Sequence, residues 1–140
     1  MRIFFGGPLT DLQNPEQTKQ FYAQMASLAT KLGFEYFWAF MNGTDPIANP
    51  DVSPQDVYSR DIKELDASDI MIAYMGQPTT GTGIEIEHAH HTQKPVVILY
   101  ESNTHISRML RGCPAIKKEI IFSSQSDALT QLEEYLVSIK

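Results

Sequence analysis

The chain has 140 residues, a net charge of -6 and a single cysteine, which is enough length to bury a core without disulfide or metal staples. Its 11 Lys and Arg residues are scattered, so the basic stripe needed to wrap nucleic acid is missing. Cys113 alone gives neither a disulfide nor a metal pair and points to a reducing compartment.

The N-terminal MRIFFGG is too short, and too soon interrupted by glycine, for a signal peptide, and no apolar run approaches membrane-spanning length. The expectation is a cytoplasmic protein that makes no contact with membrane. Ile3 to Phe5 is an apolar run ending at Gly6, Gly7 and Pro8, a strand that enters a tight turn. Asn14, Pro15 and Glu16 then resemble a helix start, and Phe21, Met25, Leu28 and Leu32 repeat at helical spacing until Gly33.

Phe34 to Phe40, FEYFWAF, reads as a second strand. Its exit end places Trp38 or Phe40 either in the core or beside a flat ligand. Met41 to Gln55 holds Pro46, Pro50, Pro54 and Gly43 and is expected as a long loop over the carboxyl ends of the strands, where a lid belongs. Ser53 and Pro54 look like an N-cap and first helical position. Val57, Tyr58, Ile62 and Leu65 make the apolar stripe that follows, and Asp61 falls within it by the i, i+4 rule. An aspartate there either pairs with Arg60 or Lys63 at the border of the stripe or has work to do. Asp69 reads as a turn residue at the other end of the sheet.

Ile70 to Met75 is a third strand, followed by GQPTTGTGIEIEHAHHTQKP and a fourth strand, Val96 to Tyr100. Strand, loop, helix and strand in this order make two parallel strands, and in such sheets ligands bind outside the carboxyl ends. Gly81 and Gly83 allow a close backbone approach, the helix start offers free N–H groups, and Thr79, Thr80 and Thr82 add hydroxyls. Glu85 is expected in the first helical turn, where a carboxylate is also simply a good partner for the helix dipole. Glu101 to Pro114 has no strong period and carries Arg108 and Arg111. Ile120 to Phe122 reads as a fifth strand, and Ser126 to Ile139, with Leu129, Leu132, Leu136 and Ile139 in phase, as a closing helix.

The fold class expected is α/β: one domain over residues 1–140, a three-layer α/β/α arrangement with a five-stranded, mainly parallel sheet in flavodoxin-like or Rossmann-like order. His88, His90 and His91 with Glu87 read as a polar helix exterior, because no distant further ligand accompanies them, so no metal is expected. The GTG element lacks a dinucleotide fingerprint, since Ile86 stands where a third glycine is required. No cofactor is expected. Cys113 beside Pro114 has no evident His partner and reads as a buried or interface thiol.

Three strings carry a resemblance. QPTTGTGIE, ending at Glu85, resembles the segment that bears the catalytic glutamate in the nucleoside 2-deoxyribosyltransferase superfamily, especially its 2'-deoxynucleoside 5'-phosphate N-hydrolase (Rcl-like) branch. RDIKELDASDIMIAY is similar to that family's second-carboxylate segment and places Asp61 at the carboxylate. SRMLRG, from Ser107 to Gly112, resembles the segment that brings a phosphate-binding serine from a neighbouring subunit.

The resemblance implies a Rossmann-like fold and an enzyme that cleaves the N-glycosidic bond of a 2'-deoxynucleoside or its 5'-monophosphate. Glu85 would be the nucleophile, and Asp61 would handle protons or orient the substrate. Gly6, Gly7, Pro8, Thr79, Gly81, Thr82 and Gly83 would form the pocket, with Ser107 completing that of a partner in a homodimer or larger assembly. Water as acceptor gives hydrolysis, and a second base gives transfer. Thr79 and Ser107 match the phosphate-holding serines of the hydrolase branch and favour a phosphate-bearing substrate. Departures from the pattern are Phe4 in place of a tyrosine, Gly7, Pro8 and Leu9 in place of a phosphate-binding Ser and Arg, and Glu87 in place of a glycine. Two binding-module alternatives stand beside this reading: a non-catalytic nucleotide sensor, for which Phe4 argues, and a flavodoxin-like FMN carrier.

Overall fold

The computed structural model describes all 140 residues. In chain order the elements are β1 (Arg2–Gly6), α1 (Pro15–Lys31), β2 (Glu35–Trp38), α2 (Pro54–Asp66), β3 (Ile70–Tyr74), α3 (Thr80–His91), β4 (Val96–Glu101), α4 (Arg108–Arg111), β5 (Ile116–Phe122) and α5 (Gln125–Ser138). The sheet runs β2-β1-β3-β4-β5, and every pairing is parallel. This is the flavodoxin-like order expected, with its switch point between β1 and β3. No helix is long and apolar enough to cross a membrane.

Strands buried on both faces need apolar residues at every position, not at alternate ones. Ile3 and Phe5 of β1 face α1 and α5, in a cluster with Phe21, Met25, Trp38, Leu132 and Leu136. Phe4 faces the α2 and α3 side with Phe37, Met71, Ala73, Ile86 and Ile98, and its ring stacks on Phe37 at 5.5 Å. Ser53 caps α2 by accepting from Asp56 N at 3.1 Å, and Ser124 caps α5 through Asp127 N at 3.1 Å. Asp69 opens β3 as a turn residue should, accepting from Arg2 N at 2.7 Å.

Four details depart from the sequence reading. β2 stops at Trp38, because Ala39–Met41 coil into a 3-10 turn and Asn42 Oδ1 accepts from Trp38 N at 3.1 Å. β5 begins at Ile116, well before the apolar triplet; its Lys117, Lys118 and Glu119 suit an edge strand, which charge protects from further pairing. The connection before it holds the single turn α4. Finally, α3 already begins at Thr80, so Glu85 lies in its second turn and no acidic residue occupies the first.

Candidate active site

At the switch point, between the β1–α1 turn, the start of α3 and the loop after β2, lies a cleft of about 450 Å³. Its glycine side is made by Gly6, Gly7 and Gly81, and its polar groups include Thr44, Thr79, Thr82, Asp61 and Glu85. Pro46, Pro50, Val52, Val57, Tyr58, Ile62 and Ile84 supply the apolar side. No Lys, Arg or His lines it, so Asp61 and Glu85 are the only acidic or basic residues on its walls besides the Tyr58 phenol.

Glu85 reaches back from α3 across the end of β1. A Cβ on Gly6 would stand 3.0 Å from Glu85 Oε2 and 2.8 Å from Met71 Cε, so any side chain there would push the carboxyl and the Met71 methyl from their places. The protein donates no hydrogen bond to Glu85. Since no fully buried side-chain polar atom lacks a partner, its oxygens open onto the cleft. Burial, and then the nearby Asp61 charge, push the Glu85 carboxyl up to about 8.

Asp61 projects from α2 and is half-buried, with Thr44 Oγ1 at 3.4 Å from its Oδ1. Burial raises its carboxyl to about 6; the Thr44 hydroxyl and Arg60 hold it down, while Glu64 adds to the rise. Because the two groups repel each other's charge, they titrate as a pair that holds about one proton near neutral pH.

The structure thus brings Gly6, Gly7, Asp61, Thr79, Gly81, Thr82 and Glu85 to one cleft. Pro8 turns away: its carbonyl accepts from Tyr22 Oη at 2.7 Å, and it borders a separate depression of about 190 Å³ with Tyr74, Gln77 and Glu101. Gly83 is not on the cleft wall, and a Cβ there would meet nothing within 4 Å. Ser107 is exposed, immediately before α4, and outside the cleft. Trp38 touches the cleft but is only 1% exposed and stacks on Phe5 at 4.6 Å, whereas Phe40 does not reach it.

Sequence reasoning passed over Thr44, Asn49, Val57, Tyr58 and Ile62 as wall residues. The signal was present in the proline-rich loop, which does cover the strand ends. On the outer side of α3, His88 Nε2 lies 2.7 Å from Asp66 and His91 Nδ1 3.2 Å from Glu87. No group of three or more potential metal ligands converges anywhere.

A parallel sheet in this order, with a glycine-lined cleft and coupled carboxyls at its switch point, defines a Rossmann-like protein built to seat a small ligand. The chain belongs to the nucleoside 2-deoxyribosyltransferase family, whose model matches residues 3–131. It is 32% identical over 81 residues to a protein of Methanosarcina mazei named as a candidate 2'-deoxynucleoside 5'-phosphate N-hydrolase, covering 58% of this chain and 50% of that one. A protein of Thermofilum pendens with the same name is 30% identical over 88 residues, covering 61% of this chain and 62% of its own. The chain therefore spans about half to three-fifths of these relatives.

Among solved structures, the Clostridium botulinum CMP N-glycosidase superposes with a TM-score of 0.74 at 22% identity, covering 96% of this chain and 99% of the other. A 2-deoxyribosyltransferase of Bacillus psychrosaccharolyticus superposes at 0.67 and 20% identity, over 94% and 96% of the two chains. At these identities the likeness is one of fold.

Proposed function

We propose that this chain is a catalytic domain that cleaves the N-glycosidic bond of a 2'-deoxynucleoside or its 5'-monophosphate, with Glu85 as nucleophile. The observation that carries the reading is the Glu85 carboxyl itself, which is pressed against Gly6, receives no protein hydrogen bond and opens onto a cleft shared with Asp61. A carboxyl whose ionised form the protein does not stabilise is poised to be stabilised by something cationic that arrives.

Breaking a glycosidic bond supplies that cation. The sugar passes through an oxocarbenium-like state, reached more easily in a deoxyribose because no 2-hydroxyl withdraws electrons. The pair's proton, which rests on Glu85 in the empty cleft, passes by way of Asp61 to the departing base as Glu85 attacks the anomeric carbon and the bond to the base breaks, giving a glycosyl ester. Water or a second base then takes the sugar from Glu85, and hydrolysis and transfer differ only in that step. The names borne by the relatives, an N-hydrolase and an N-glycosidase, support this class of bond cleavage.

For the sugar's 5' end, Thr79 and the start of α3 offer a hydroxyl and free N–H groups with no acidic residue in the first turn, a setting that accepts phosphate. No cation lines the cleft wall, so a phosphate there would rest on these neutral donors alone. In a homodimer, the exposed Ser107 segment of a second copy would add to the phosphate end. The apolar side, with Tyr58, Val57 and Ile62, suits the face of a base.

Incubating the protein with deoxynucleosides and their 5'-monophosphates, with and without an acceptor base, and separating the products by chromatography tests the proposal. Free base is expected, and Glu85→Gln abolishes it while leaving the circular dichroism spectrum intact. Undiminished base release by that variant, or binding without release by the parent at high concentration, would overturn the assignment.

A further inference from the structure

The loop between β2 and α2 forms one wall of the cleft, and a buried carboxylate ties its middle to α1. Asp45 is only 2% exposed, although it sits in a polar, proline-rich stretch. Its Oδ1 accepts from Ile47 N at 2.8 Å and Ala48 N at 3.3 Å, and its Oδ2 is paired with Lys19 Nζ from α1. Its carbonyl accepts from Asn49 N at 2.8 Å, which closes the turn. Burial opposes ionisation of Asp45, but Lys19 and the two amides outweigh it and hold the carboxyl below its ordinary range.

The residue before it, Thr44, is 4% exposed and presents its hydroxyl 3.4 Å from Asp61 Oδ1 and 3.3 Å from the Ala39 carbonyl. The residues after it, Pro46, Asn49 and Pro50, line the cleft. One ion pair therefore lies between a helix on the far side of the sheet and both features of the cleft wall. Lys19 itself is not on that wall.

We propose that the Lys19–Asp45 pair is a positioning device: it fixes the loop so that Thr44 meets Asp61 and Pro46 to Pro50 stand against the substrate. The inference rests on the glycosidase reading for its effect on turnover, but not for its effect on Asp61. Nothing else in the loop anchors Asp45 to a helix, and the pair spans a sequence separation of 26 residues, so local chain stiffness cannot replace it. The charged groups around Asp61 are Arg60 and Glu64 on its own helix and Glu85 from α3. The loop contributes the neutral Thr44 hydroxyl, whose one proton is shared between the Ala39 carbonyl and Asp61 Oδ1 and, where it turns to Asp61, favours the ionised form.

Five variants of the full chain test the device: Asp45→Asn, Lys19→Met, their double combination, Lys19→Arg and Thr44→Val. The primary readout is a carboxyl carbon NMR titration of Asp61, which requires no turnover. Thr44→Val removes only the hydroxyl, and should raise the lower midpoint of the carboxyl pair above its parent value of about 6. Asp45→Asn keeps the acceptor for the two amides and loses the ion pair; it should raise that midpoint similarly and also raise KM about tenfold, because the wall moves.

Lys19→Met should match Asp45→Asn, the double variant should be no worse than either, and Lys19→Arg should restore both properties. An unchanged Asp61 midpoint in folded Asp45→Asn and Thr44→Val proteins would overturn the device, as would strict additivity of Lys19→Met and Asp45→Asn. Should the titration respond while no base is ever released, the glycosidase reading falls and the positioning of Asp61 stands.

Discussion

Replacing Glu85 with glutamine should make the protein more stable in a way that depends on pH. An ordinary glutamate carboxyl ionises at 4.5, but Glu85 in the fold ionises at about 8. Between those values the unfolded chain has released a proton that the native state still holds, so native stability falls as pH rises. At 1.36 kcal/mol per pH unit, the native carboxyl costs about 3 kcal/mol at pH 7 and about 5 kcal/mol once both states are ionised above pH 8. Glutamine, neutral throughout, avoids this cost.

For a chain of this size about 3 °C of melting temperature accompanies each kcal/mol, so Glu85→Gln should melt about 5–10 °C above the parent at pH 7. The two should coincide near pH 4, where both carry a neutral group. Thermal unfolding followed by circular dichroism from pH 4 to pH 8.5, alongside base release, measures both sides of the exchange: stability gained and turnover lost at least about a thousandfold. A melting difference that is flat with pH, or a variant less stable than the parent at pH 8, would refute the account of Glu85 as an uncompensated acid.

The pH dependence of kcat/KM should be bell-shaped, with limbs near 6 and near 8, because only the singly protonated pair holds one proton to give the base and, once that proton has left Glu85, an ionised nucleophile. Asp61→Asn should remove the bell and let Glu85 ionise at lower pH; a persistent second limb would place that proton elsewhere. Gly6→Ala puts a methyl 3.0 Å from Glu85 Oε2 and 2.8 Å from Met71 Cε, so turnover should drop about a hundredfold and stability by about 1–3 kcal/mol. Full activity would mean that Glu85 does not work from this position. Thr79→Ala should lower kcat/KM for a deoxynucleoside 5'-monophosphate more than for the nucleoside, and an unchanged ratio would take Thr79 out of phosphate recognition.

Much of this architecture could be read from residue order. The glycines ending β1, the Ser53-Pro54 helix start and the apolar runs of β3 and β4 each have one local solution, and together they bring Gly6, Asp61 and Glu85 to one end of the sheet. What was illegible has physical causes. Thr80 to Gly83 are poor helix formers, so the first turn of α3 passes for loop and Glu85 is displaced by a turn. The stripe of α2 predicts burial, but it faces the cleft: Leu65 alone is fully buried and Tyr58 is 57% exposed. Asp45 looks like a solvent-facing loop residue, since its burial depends on a lysine far away in sequence. The charges of Lys117 to Glu119 conceal half of β5, because an edge strand has no second neighbour to demand apolar side chains.

The scarcity of cations around Asp61 and Glu85 has a consequence for inhibition. Such a hollow repels free anions and holds positive charge, and its grip tightens as alkali strips the remaining proton from the pair. A sugar mimic with a protonated ring nitrogen would therefore meet a ready counter-ion where a natural ligand develops its charge only for an instant. The acidity that makes the empty protein less stable is what would make such a compound hard to dislodge.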